Sequence, residues 1–223
     1  ETTVVPEDVL PQTIKRTIDF VDYYIVENEK TARKFIKSIH PEKKQPDLKI
    51  SVLNKHTDFA EHNEFIQPLL RGENIGLMSE SGCPGVADPG AVIVKLAHEK
   101  GIQVVPLVGP SSILLALMAS GLNEQSFRFC GYLPIDQIER KKKIKDIELR
   151  SQKENCTQIF IETPYRNNAL LNDILAVSNT ETLLCIGVNI TGDNESIQTK
   201  KIKDWKKNIP VLQKTPAIFL LQG

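Results

Sequence analysis

Short β-rich runs alternate with longer amphipathic runs along nearly the whole chain, and no other feature limits the fold as much. In the first half Tyr23–Val26, Ile50–Leu53, Asn74–Met78 and Ile102–Val105 read as strands, and Glu29–Ile39, Phe59–Leu70 and Ala91–His98 as helices. Ahead of them Val5, Val9, Leu10, Ile14 and Ile18 recur at helical spacing, with Pro6 suited to a first turn. Strands separated by helices of about ten to fifteen residues predict βαβ units and parallel sheet. The second half has the same grammar with more antiparallel character. Its helices are Ser112–Ser120, Ile138–Leu149 and Tyr165–Val177; its strands are Phe127–Cys130, Thr157–Ile161, Leu183–Val188, Ser196–Thr199 and Ala217–Leu221. The turn Leu107-Val-Gly-Pro110 is the natural hinge. Two α/β domains are therefore expected, 1–108 and 109–223.

Composition narrows the function classes. Lys+Arg 28 balance Asp+Glu 28, so no global basic field recruits nucleic acid. Cys83, Cys130, Cys156 and Cys185 are scattered, with no CxxC pair and no Cys/His ligand spacing, so neither a metal site nor a disulfide framework is expected. The longest clean apolar run, Ile113 to Ala119, is too short to span a bilayer, and no signal peptide is expected. The expectation is a cytoplasmic protein without a membrane partner.

The unusual stretch is Ser79-Glu-Ser-Gly-Cys-Pro-Gly-Val-Ala-Asp-Pro-Gly90, lying between a strand and a helix. A connector of that kind needs only about 2–6 residues, and this one has twelve. It sits where open α/β sheets bind ligands, at the carboxyl end of a parallel strand. Its glycines let backbone amides approach a ligand, and its prolines hold the turn in shape. Asp88-Pro89 reads as an N-cap and first-turn pair for the next helix. A second turn, Gly109-Pro-Ser-Ser112, opens a helix in the same way, and the two turns are expected to face one crevice. There Ser111 and Ser112 would offer hydroxyls and helix-end amides.

Several common sites are missing: there is no GxxxxGK[ST] phosphate loop, no GxGxxG after a strand and no GxSxG elbow. His40, His56, His62 and His98 lie in polar helical contexts and read as surface residues. Arg140-Lys-Lys-Lys-Ile-Lys145 could touch RNA phosphates, but Glu139, Asp146 and Glu148 on the same helix favour a solvated face.

Six segments together resemble the tetrapyrrole methylase superfamily. They are Leu77 to Gly90, Gly101 to Ser111, Ala119-Ser-Gly-Leu122 with Gly131-Tyr-Leu-Pro134, Phe160-Ile-Glu-Thr-Pro-Tyr-Arg166, and Thr215 to Gly223. The nearest branch is the small-subunit ribosomal RNA ribose O-methyltransferases. The resemblance implies two α/β domains with a cofactor cleft between them, S-adenosyl-L-methionine as cofactor, and a homodimer. It places Ser79, Glu80, Ser81, Gly82, Cys83, Pro84, Gly85, Ser111 and Ser112 on the methionine side of that cofactor. Leu133, Phe160, Ile161, Glu162, Gly187, Val188, Pro216, Ala217 and Ile218 would surround its adenosine. Glu27 and Glu162 are the expected catalytic carboxylates, near the proton of the attacking hydroxyl.

The chain departs from the branch at four places. The family's first strand and its Gly-containing loop would precede Glu1, and the branch's extra C-terminal segment would follow Gly223. Glu27-Asn-Glu-Lys30 keeps only the first residue of an acidic pair, and Ile186-Gly-Val-Asn-Ile-Thr-Gly192 lacks the branch's charged residues. Methylation of a ribose hydroxyl of ribosomal RNA or the small ribosomal subunit is the leading expectation. A tetrapyrrole or other small acceptor, and an inactive cofactor-binding partner protein, are the alternatives.

Overall fold

The computed structural model describes residues 5–54, 57, 59–212 and 214–223, which divide into two units, Val5–Ser111 and Ser112–Gly223. In the first, proline breaks the opening helix that apolar spacing predicts as continuous. Helix α1 (Pro6–Val9) ends at Leu10, which is extended, and α2 (Gln12–Phe20) restarts after Pro11. Pro11 lacks the N–H a continuous helix would need there, and it disfavours helical backbone at the residue before it. Strand β1 (Tyr23–Val26) follows, then α3 (Glu29–Ile39), β2 (Lys49–Val52), α4 (Phe59–Phe65), α5 (Gln67–Leu70), β3 (Ile75–Met78) and α6 (Ala91–Glu99). Asn28 caps α3, its Oδ1 accepting from Lys30 N at 3.0 Å and Thr31 N at 3.3 Å. The helix expected over Phe59–Leu70 is split at Ile66, with Pro68 in the opening turn of α5.

The three strands form a parallel sheet in the order β2-β1-β3, with Tyr23 opposite both Lys49 and Ile75. The middle strand is buried on both faces, as parallel sheet demands. Tyr24 and Val26 pack with Ile18, Val21, Ala32 and Ile36, and Ile25 packs on the other side with Leu53, Ile66, Ile93 and Leu96. The strand expected at Ile102–Val105 does not form. Residues 102–111 carry no ladder, and Val105 and Val108 are 63% and 73% exposed. A β-rich run becomes a strand only where a neighbour supplies hydrogen bonds and a surface to pack on.

The second unit comprises α7 (Ser112–Ser120), β4 (Phe127–Tyr132), α8 (Gln137–Glu154), β5 (Thr157–Ile161), α9 (Asn167–Val177), β6 (Leu183–Val188), β7 (Ser196–Lys201), α10 (Ile202–Trp205) and β8 (Ala217–Gln222). Asp136 caps α8 by accepting from Ile138 N at 2.9 Å and Glu139 N at 3.0 Å, and left-handed Asn155 ends it. The sheet order is β4-β5-β8-β6-β7. The last strand in the chain thus lies in the middle, antiparallel to both β5 and β6, which gives this half its antiparallel character.

Each central strand feeds two cores. Phe160, Phe219 and Leu221 pack with Leu170, Leu171 and Ile174 of α9 and Ile144 and Ile147 of α8. Ile159, Ile218 and Leu220 pack with Ala116 and Leu117 of α7. Phe160 and Phe219 stack across β5 and β8 with ring centroids 5.9 Å apart. Replacing Phe219 by Ala should cost about 3–5 kcal/mol by the measured cost of large-to-small core changes. Urea unfolding checks this, and a loss below about 1 kcal/mol would show that β8 is not the strand that closes this core.

Candidate functional site

In the first unit, the loop between β3 and α6 is shaped by carboxylates as much as by glycine. Asp88 Oδ1 accepts from Gly85 N at 2.6 Å and Gly90 N at 2.7 Å. Helix α6 starts at Ala91, and its N-cap Gly90 has no side-chain cap bond. Asp88 is therefore a staple closing the loop on itself, not the helix cap that the Asp-Pro pair suggests. Glu27, just past β1, accepts from Glu80 N at 2.8 Å, and Thr31 on α3 bonds the Glu80 carboxylate. The Ser79 hydroxyl donates to Ser81 O at 3.2 Å. Gly82 and Gly85 have φ of +70° and +79°, in the left-handed region that suits glycine. A Cβ at Gly82 would meet nothing within 4 Å, so that stretch of backbone is open to a ligand.

The second Gly/Pro turn lies against this loop, because the Cys83 thiol reaches Pro110 O at 3.7 Å. Ser79 through Gly85 and the turn leading to Ser111 are thus gathered at the carboxyl end of β3. Ser112 begins α7 in the other unit. Thr31 is the contributor the sequence reading missed; a lone Thr one turn into a helix gives no signal of its own.

In the second unit, register brings four strands together at one end of the sheet. Ile161 pairs with Ile218, Ile218 with Gly187, and Ala217 with Val188. A register shift between Phe129 and Tyr132, centred on Gly131 with φ +66°, sets Tyr132 opposite Ile161 and brings Leu133 to the same end. Pro216 O accepts from Asn189 N at 3.0 Å. The expected adenosine residues are therefore neighbours, but their side chains divide. Leu133, Phe160 and Ile218 are committed to the cores, while Ile161, Val188 and Ala217 are half-buried.

The turn after β5 holds the polar groups. Glu162 Oε1 accepts from Thr163 N and from Arg166 Nη2, both at 2.6 Å, and its side chain is wholly enclosed. Fully buried Asn167 donates from Nδ2 to Thr215 O at 2.6 Å. Glu162 Oε2, Arg166 Nε and Asn167 Oδ1 are buried and make no hydrogen bond with the protein. Buried polar atoms are nearly always partnered, so three such atoms in one turn mark a place suited to a polar ligand. The sequence reading included Glu162 but not Asn167, which looks like an ordinary first-turn helix residue.

The basic run on α8 turns partly inward. Arg140 is buried, donating from Nε to Asp173 Oδ2 at 2.8 Å and from Nη1 to Ile135 O at 2.8 Å, and Lys141 lies 3.5 Å from Asp173. Two of its five cations are thus held by α9. Among the described residues no helix is long and apolar enough to cross a membrane.

The Asp88 staple is directly testable. Asp88→Ala removes two backbone partners and should speed amide exchange at Gly85 and Gly90 at least tenfold, since each such bond contributes about 1.5–3 kcal/mol. Unchanged protection would mean that Pro84 and Pro89 alone set the loop.

Comparison with known proteins adds sequence kinship to this geometry. No family model matches the chain. It is 32% identical over 174 residues to the ribosomal RNA small subunit methyltransferase I of Haemophilus influenzae, covering 77% of this chain and 60% of the relative. It is 33% identical over 178 residues to the protein of that name from Vibrio cholerae, covering 78% and 60%. The chain thus spans about three fifths of the length of these relatives. Among solved structures, the methyltransferase CobJ matches with a TM-score of 0.64 at 13% identity, covering 97% of this chain and 89% of that one. A cobalt precorrin-4 methyltransferase of cobalamin biosynthesis matches at 0.60 and 11%, covering 96% and 89%. Over the matched residues the chain is similar to the ribosomal RNA small subunit methyltransferase I proteins, and it shares the fold of the two solved methyltransferases.

Proposed function

We propose that the chain is an S-adenosylmethionine-dependent methyltransferase acting on a ribose hydroxyl of small-subunit ribosomal RNA. The carrying observation is the stapled Ser79–Gly90 loop, open at Gly82, in a chain homologous to proteins named for ribosomal RNA methylation. Within the second unit the orphaned acceptors Glu162 Oε2 and Asn167 Oδ1 suit an amino-purine, and within the first the open backbone at Gly82 suits an amino-acid group.

When bound, that cofactor supplies an electrophilic sulfonium methyl group. The residues of the chain have to hold and align. N–H groups of the Ser79–Gly85 loop other than those of Glu80 and Gly85, which Glu27 and Asp88 already take, would donate to the methionine carboxylate, and the Ser111 and Ser112 hydroxyls would accept from its ammonium. Ile161, Val188 and Ala217 cover the purine, and the backbone at Gly187 and Pro216 shapes its slot. Fixing the acceptor in line with the methyl group can be worth about 7–11 kcal/mol, so positioning carries most of the rate. Of the two carboxylates, Glu162 is enclosed and paired with Arg166, so it holds the β5–α9 turn. Half-exposed Glu27, fixed by its bond to Glu80 N, is the better candidate to draw off the ribose proton. A tetrapyrrole acceptor is supported by fold likeness alone, at 13% identity and below. A cytoplasmic homodimer completes the proposal, with exposed Leu114 and Met118 on α7 the natural apolar face to cover.

Calorimetric titration with S-adenosylmethionine and S-adenosylhomocysteine tests the reading. One micromolar site per chain is expected. Gly82→Val and Ser111→Trp should each weaken binding by more than about tenfold, or 1.4 kcal/mol, while thermal unfolding shows both variants folded. Retained affinity in both would remove the loop from the site, and no binding by the folded wild type would overturn the proposal.

A further inference from the structure

Residues 200–214 carry six lysines and one aspartate in a chain whose formal net charge is zero, so the rest of the molecule is net acidic. Lys200 and Lys201 close β7, an edge strand of the five-stranded sheet. Lys203 lies on α10, and Lys206, Lys207 and Lys214 follow, the last four all exposed. The turn is firmly seated: Ile202 is fully buried, and Trp205 donates from Nε1 to Leu184 O at 2.8 Å. Lys200 Nζ lies 4.4 Å from the Trp205 ring centroid.

Nearby acids offset only part of this charge. Glu181 accepts from both Lys201, at 2.8 Å, and Lys203, at 2.7 Å, and these bonds hold its carboxyl down to about 2. It therefore stays ionised, one negative charge shared by two lysines. Asp204 accepts from Lys207 at 2.7 Å. Six lysines thus face two acids along this stretch.

The segment also leads toward the candidate site. Lys201 pairs with Leu183, at the end of β6 opposite Val188. From there the chain passes α9, where Leu212 N donates to Asn168 Oδ1 at 2.7 Å, and reaches the turn after β5, where Lys214 N donates to Pro164 O at 3.0 Å. It therefore traverses a sheet about 16–20 Å deep and ends two residues from Glu162 in contact. Midway lies a cleft of about 210 Å³ lined by Asn168, Leu171, Asn172, Ile209, Pro210 and Val211.

We propose that residues 200–212 together with Lys214 form a docking track for the sugar-phosphate backbone of RNA. The inference rests on the ribosomal RNA reading and deepens it by saying where the substrate lies. A small acceptor has no use for cations that far from the Glu162 turn, whereas a polynucleotide meets several at once and gains from counterion release. Trp205 is buried and offers no stacking face, so the track grips phosphates and carries no sequence preference. Exposed Val211 at the rim of the cleft gives one unstacked base an apolar rest.

The test is fluorescence anisotropy of the full chain with an unmethylated small-subunit ribosomal RNA transcript across a salt series. Wild type should bind with a steep negative slope of log affinity against log salt. The triple variant Lys206→Glu, Lys207→Glu, Lys214→Glu should bind at least about a hundredfold more weakly, its slope shallower by about two to three, since each phosphate contact contributes roughly 0.7–0.9. The matching Arg triple should bind like wild type. Calorimetric affinity for S-adenosylmethionine should be unchanged in both triples, which shows that they fold. Wild-type RNA binding in the Glu triple, or a larger loss from Lys142→Glu with Lys145→Glu on α8, would overturn the track and leave the proposed function standing. A wild type that binds S-adenosylmethionine but no RNA would overturn both.

Discussion

The insertion of β8 between β5 and β6 is the constraint on which the second unit depends. It supplies Phe219 to one core and Ile218 and Leu220 to the other. It also places Pro216, Ala217 and Ile218 beside Ile161 on one flank and Gly187 and Val188 on the other. Residues 29 to 63 positions apart in sequence become neighbours because the last strand pairs antiparallel with two strands made earlier. Such non-local pairing carries a large loop-closure cost, and burial of both faces of β8 offsets it. The candidate adenosine end is therefore a consequence of how this unit closes its core.

The first unit achieves rigidity differently. Its loop from Ser79 to Gly90 needs a defined shape without a core of its own, and two carboxylates provide it. Asp88 binds two amides of the loop itself, and Glu27 binds Glu80 N from the end of the neighbouring strand. Charge-assisted bonds to backbone N–H groups are stronger than neutral ones and fix direction as well as distance. A loop held this way keeps its glycine backbone available at Gly82, where open space remains.

Much of this was legible in the sequence because it is local. Alternating β-rich and amphipathic runs predicted mixed α/β architecture, and the matched solved structures share it. Loop length and Gly/Pro content singled out Ser79 to Gly90. What was not legible depends on partners distant in sequence. Periodicity at Ile102–Val105 is strand-like, but no ladder forms there. Arg140 sits in a run of cations that looks solvated, and only the tertiary position of Asp173 turns it inward. Asp88 carries a cap signature, yet Gly85 and Gly90 take its oxygen. The Pro11 break was readable from the proline alone, and apolar spacing outweighed it. Asn167 shows its importance only through burial and an orphaned carbonyl oxygen.

Each unit has its own chemistry: the first a stapled loop with open backbone at Gly82, the second a sheet end with buried polar groups at Glu162 and Asn167. Central to the account is methyl transfer to a ribose of ribosomal RNA. The most direct measurement incubates the chain with labelled S-adenosylmethionine and unmethylated small ribosomal subunits, then digests the RNA to nucleosides for mass spectrometry. The account predicts label in a 2′-O-methylnucleoside, lost when Gly82 is replaced by Val. Label on a base, or none on RNA from a chain that binds the cofactor, would contradict it.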